Sequence, residues 1–168
     1  MGETASQVDL LVTLLVRFPE MSAVHYEPDE QVLRMVFLLK GRLEDQEALS
    51  ATYRSHLAVF HRLQKKAPRI NTITLSGNSQ LTILEIKRDM ATLSLAELNL
   101  TMELLNQSCG EIIVREGPPE VEDDWENNAL IELLLSEAKT VGRERLSGFR
   151  QDGRVLVFSI PLAGVSEQ

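Results

Sequence analysis

Basic side chains gather in the middle of the chain. Arg54, Arg62, Lys65, Lys66, Arg69, Lys87 and Arg88 fall within residues 54–88, where Glu85 is the only acid. Such a concentration of guanidinium and ammonium groups can hold an anionic ligand or face an acidic partner. Lys40-Gly41-Arg42 forms a turn between an apolar run and the next helix and adds two more cations. The anion-holding set read from the sequence is therefore Lys40, Arg42, Arg62, Lys65, Lys66, Arg69, Lys87 and Arg88. A plainer reading competes with it. "HRLQKKAPR" ends a helix, where cations complement the C-terminal dipole, and "KGR" is an ordinary strand-to-helix turn.

The opposite bias appears in "EGPPEVEDDWENN", residues 116–128, with six carboxylates, two adjacent prolines and no base. A calcium loop needs alternating Asp or Asn with a central Gly, and no Gly follows these acids. Acids in the first turn of a helix are favoured by its dipole, and Pro118-Pro119 blocks helix and central strand alike, so the stretch reads as a boundary. Trp125, if exposed, makes the boundary an interaction surface.

Other chemistry is poorly supplied. The chain has no phosphate-binding loop, dinucleotide fingerprint, nucleophile elbow or paired-histidine zinc motif. His56 and His61 lie on one helix five positions apart, which turns them away from each other; His56 reads as a partly buried packing residue. Cys109 sits at the C-terminal end of a helix, where the dipole raises rather than lowers a thiol pKa, and reads as core. Glu85 with Asp89, and Glu44 with Asp45 and Glu47, lack the partners that acid–base work needs. Asn99 and Asn106 match glycosylation acceptors but fall inside a helix. No cofactor or metal is expected.

Those side chains must be placed by elements that the hydropathy pattern locates. Ser94 caps a helix in which Glu97 completes a capping box and Leu93 and Leu98 form the staple; Leu95, Leu98, Met102, Leu105 and Cys109 make its apolar face. A second helix covers about 45–64, with Leu49, Tyr53, Leu57, Phe60 and Leu63 on one stripe and Pro68 beyond it. A third begins after Asp123, with Leu130, Leu134, Ala138 and Val141 on a face. "SQVDLLVTLLVRF" suits a helix between Ser6 and Pro19, although its valines also suit a buried strand. Hairpins are predicted around Pro28-Asp29, around Gly77-Asn78 and at Asp152-Gly153, the last in a type I′ turn. The run 32–39 is apolar enough to be buried on both faces.

Residues 31–116 thus read strand, helix, two strands, helix, strand, with "EIIV" last. The fold class expected is α+β: an antiparallel sheet with helices on one face and a ferredoxin-like βαββαβ core at about 31–116. Residues 1–116 form the core domain, preceded by a helix and strand. Residues 117–168 form a proline-rich acidic linker, a helix and a hairpin, packed on that core or standing apart.

The 168 residues carry a net charge of −8, with 43% hydrophobic and 25% charged residues. This balance suits a globular chain and repels phosphate backbones and anionic membranes, so neither nucleic acid nor membrane is the expected partner. The central strands lack the stacking aromatics of RNA-binding sheets. A single cysteine and the lack of a signal-like start point to the cytoplasm. The function expected is that of a non-catalytic binding or regulatory domain, acting on a protein partner, a second copy of itself or a small anionic ligand. The alternatives are a small enzyme that holds a phosphorylated or acyl substrate in a basic pocket, and phosphate-backbone binding by the basic face.

Overall fold

The computed structural model describes residues 2–115, 125–137 and 144–160, with side chains described for 7–115, 128–137 and 144–159. Its elements are α1 (Gly2–Arg17), β1 (Ala23–Glu27), β2 (Val32–Lys40), α2 (Gln46–Leu63), β3 (Asn71–Gly77), β4 (Leu81–Asp89), α3 (Leu95–Cys109), α4 (Trp125–Glu137), β5 (Arg145–Gln151) and β6 (Arg154–Ile160). The fold is α+β. Six strands form one antiparallel sheet in the order β3-β4-β2-β1-β5-β6.

The opening segment is a helix, because Leu10, Leu11, Leu14, Leu15 and Phe18 recur with the 3.6-residue period and all are buried. Its C-terminal carbonyls need partners, and Arg150 of β5 donates to those of Leu15 and Phe18. In α2 the Asp45 carboxylate accepts from the Ala48 amide at 3.0 Å. In α3 the Ser94 hydroxyl accepts from the Glu97 amide at 3.3 Å. The return half of that capping box is missing: the Glu97 carboxylate turns into the protein, for a reason given below. The three predicted hairpins are present as β1–β2, β3–β4 and β5–β6, and positive φ at both Asp152 (54°) and Gly153 (76°) fits the primed turn.

Neighbouring helices touch in the series α2, α3, α4, α1, giving one layer on one face of the sheet. Inward strand positions such as Met35, Phe37, Leu84, Ile86, Val24 and Leu146 join helix residues in a single buried cluster. Complete burial of each such aliphatic side chain is worth about 1.5–3 kcal/mol. Ile131, Leu134 and Leu135 bring α4 into that same cluster, and β5 and β6 extend the same sheet beyond β1. No helix among the described residues is long and apolar enough to cross a membrane.

Four expectations are corrected. "EIIV" is not a full strand: it makes one bridge, Leu39↔Ile113, with bonds from the Lys40 amide to the Ile112 carbonyl (2.7 Å) and from the Val114 amide to the Leu38 carbonyl (2.8 Å). β4 takes the whole of one edge of β2, so this bridge shares the other edge with β1, which pairs with 32–36. The run 32–39 is buried on one face only, because all the described helices lie on the same side; its residues alternate between buried and half-exposed. In α2 the stripe turns at its last two turns: His61 is buried, Phe60 is half-exposed and Leu63 is 75% exposed, while His56 is exposed. In α4 the buried set is Ile131, Leu134 and Leu135, with Leu130 exposed. Ala138, Val141 and the cap at Asp123 lie outside the described residues.

Candidate functional site

The cations read from the sequence do not share one place. Lys40 pairs with Leu81 at one end of the β2–β4 ladder, and Arg88 pairs with Leu33 towards the other. At about 3.3 Å per residue the two positions stand about 23 Å apart along the strand. Arg42 lies at the Lys40 end, where it lines a hollow of about 540 Å³ with Leu43, Glu44, Asp45 and Ser108 among others. Arg62, Lys65 and Lys66 follow one another at the C-terminal end of α2, the first two exposed. Arg69 donates to the Glu30 carbonyl, and its own amide reaches the Asp89 carboxylate at 3.1 Å. The Lys87 ammonium lies 3.7 Å from the Glu30 carboxylate.

Arg88 has a different position. It is on the inward phase of β4, after Thr82, Leu84 and Ile86, and is fully buried. Its Nε donates to Glu97; one terminal nitrogen reaches Asp89 at 2.6 Å and the Ile70 carbonyl at 3.1 Å; the other reaches Glu97 at 2.7 Å and Thr92 at 2.9 Å. All five donors are engaged by the protein. Glu97 also meets His61 Nε2 at 2.8 Å, which explains why its carboxylate left the cap. Burial opposes ionisation of Asp89, but the Ile70 amide, the Thr92 hydroxyl and Arg88 outweigh it and hold the carboxyl below its usual range. Burial works against the Arg88 charge too, and Glu97 and Asp89 more than restore it. Nearby, Tyr53 donates to Asn71 at 2.8 Å, and burial, with the Glu97 charge, pushes its phenol pKa up. The cluster holds α2, β4 and α3 together.

The face of the sheet opposite the described helices, helix-free among the described residues, has the other distinct character. Alternation along the strands sends Val36, Leu38, Ile83, Ala23, Phe149 and Leu156 to that side. They are contiguous: Leu38 pairs with Ile83, Val36 with Ala23, Ala23 with Phe149, and Phe149 with Leu156. Phe158, 50% exposed, adds a ring 5.3 Å from that of Phe149. Where β1 and the Ile113 bridge share the edge of β2, a hollow of about 340 Å³ opens, lined by Pro19, Ala23, Val36, Leu38, Val114 and Phe149 among others.

A polar row borders this band. Arg34 bonds Glu27 at 3.0 Å and Glu85 at 3.2 Å, Arg145 lies 3.8 Å from Asp29, and His25 Nδ1 lies 2.8 Å from the Ser147 hydroxyl. Burial, then the Arg34 charge, lower the His25 pKa below its ordinary 6.5. Of the cations on this face, Arg34, Lys87 and Arg145 already face a carboxylate, whereas Lys40 and Arg154, exposed on the same strand phase, have no ion-pair partner among the described residues.

Trp125 is the first residue of α4 and its side chain lies outside those described, as do residues 116–124 of the acidic stretch. Cys109 is buried, and burial raises its thiol pKa. No group of three or more His, Cys, Asp or Glu among the described residues is arranged to hold a metal ion. The sequence reading missed the apolar face; its signal was the very run 32–39, too apolar for a strand covered on one side only. No family model matches the chain, and no curated protein or solved structure compared with it matches either.

Proposed function

We propose that the chain is a non-catalytic interaction domain that takes an apolar segment of a protein partner on the helix-free face of its sheet. One observation carries the reading: a contiguous apolar band with a hollow of about 340 Å³ is bordered by ion pairs that already satisfy one another. An apolar centre with a polar rim is the anatomy of a protein–protein contact. An anionic ligand would ask instead for convergent cations without carboxylate neighbours. Arg88 is withdrawn into the interior, and Arg42 shares its hollow with Glu44 and Asp45. The lone buried thiol of Cys109 supports a reducing, cytoplasmic setting. Kinship with split-βαβ domains belongs to the same proposal, supported by the order β2, α2, β3, β4, α3 and by β4 lying between β2 and β3.

Random peptides displayed on phage and panned against the full chain test this reading. Enriched peptides should carry apolar residues, and Val36→Glu or Leu38→Glu should weaken their binding by about tenfold or more, about 1.4 kcal/mol. A Lys65→Glu/Lys66→Glu variant should bind them as the parent does. Peptides that bind all these variants equally, or an enrichment of acidic peptides lost only in the lysine variant, would overturn it.

A further inference from the structure

We propose that two copies of the chain pair through α2, antiparallel about a two-fold axis at Ser55. This goes beyond the sheet-face reading and uses a different surface. The side of α2 turned from the core is not a usual solvated face. At 3.6 residues per turn, Ala48, Ala51, Thr52, Ser55, Val59 and Arg62 lie opposite the buried Leu49, Tyr53, Leu57 and His61. Only Arg62 among them is charged, and Val59 is 54% exposed. On the flank, His56, Phe60 and Leu63 line a hollow of about 390 Å³ with Leu100 of α3. Small outward residues let a second helix approach closely, and the flank supplies apolar surface for it to cover.

Charge identifies the occupant as a second copy. Glu44, Asp45 and Glu47 stand at the start of α2, and Arg62, Lys65 and Lys66 stand at its end. Antiparallel pairing about Ser55 brings the Glu44, Asp45 and Glu47 end of one copy against the Arg62, Lys65 and Lys66 end of the other, twice over by symmetry. It also opposes the two helix dipoles favourably. Arg62 of the second copy then lies over Ala48, at the mouth of the hollow where Glu44 and Asp45 stand. Parallel pairing would bring like ends together. An 18-residue helix is about 27 Å long. A stable contact buries about 1,200 Å² or more in total, so the Phe60, Leu63 and Leu100 flank takes part along with the outward face.

Sedimentation equilibrium loaded at about 100 µM populates any contact with a Kd of about 10 µM or tighter. The chain should sediment at twice its 18.9 kDa mass. Ser55→Arg should raise the dissociation constant tenfold or more with an unchanged circular dichroism spectrum. Ser55→Cys should form a covalent dimer on mild oxidation, since the native thiol of Cys109 is buried. Lys66→Glu should weaken the dimer, and Lys66→Glu with Glu44→Lys should restore it. A monomer at this concentration, or a dimer that Ser55→Arg leaves intact, would overturn the proposal. Val36→Glu should leave the dimer unchanged, so failure of this proposal and failure of the sheet-face reading are told apart.

Discussion

At the scale of single residues, the most consequential position is Arg88. A guanidinium with no exposure is stable only when its donors are all engaged and its charge is balanced, and Glu97 and Asp89 do both. Glu97→Ala would leave that charge under-compensated and cost about 3–5 kcal/mol in urea denaturation. Replacing both residues, as Arg88→Met with Glu97→Leu, should cost clearly less than the sum of the single changes, because no unpaired guanidinium remains. Additive losses, or a Glu97→Ala cost under about 1 kcal/mol, would contradict this account of the cluster. The sequence held a clue that was masked. Arg88 sits on the inward phase of a strand whose other inward residues are uncharged, but Glu97 was already explained as the third residue of a capping box. A side chain that satisfies one local rule gives no sign that a distant partner claims it.

At the scale of elements, caps and apolar period located the helices and turn residues located the hairpins, because these signals are local. What local pattern could not give was phase and partner. The stripe of α2 predicted Phe60 and Leu63 as core, yet the helix presents His61 instead, since Glu97 offers it a carboxylate at 2.8 Å. Whether "EIIV" pairs as a strand depended on β1 taking most of the same edge of β2. The crossing of α1 over β5 is likewise a tertiary fact. It rests on Gly148, where a Cβ would come within 3.2 Å of the Leu15 side chain and 3.6 Å of Leu11. Gly148→Val should therefore push α1 from the sheet and destabilise the fold by about 1–3 kcal/mol, read as a lowered midpoint in thermal unfolding. An unchanged midpoint would mean that α1 is not seated there.

For the whole molecule, the decisive feature is asymmetry: among the described residues, one face of a six-stranded sheet is covered by four helices and the other carries an apolar band bordered on one side by a row of ion pairs. Composition and strand pattern made the α+β class legible. They left the helix-free face unread, because an apolar run of strand length looks the same whether a helix or a partner covers it. The proposed function depends on that face being accessible in the 168-residue chain. Thiol labelling tests this most directly, in a Cys109→Ser background under native conditions, comparing Leu38→Cys with Phe37→Cys one residue away on the buried side. The account predicts rapid reaction at position 38 and protection at position 37. Equal protection at both positions would show the face to be covered by the chain itself and would contradict the account.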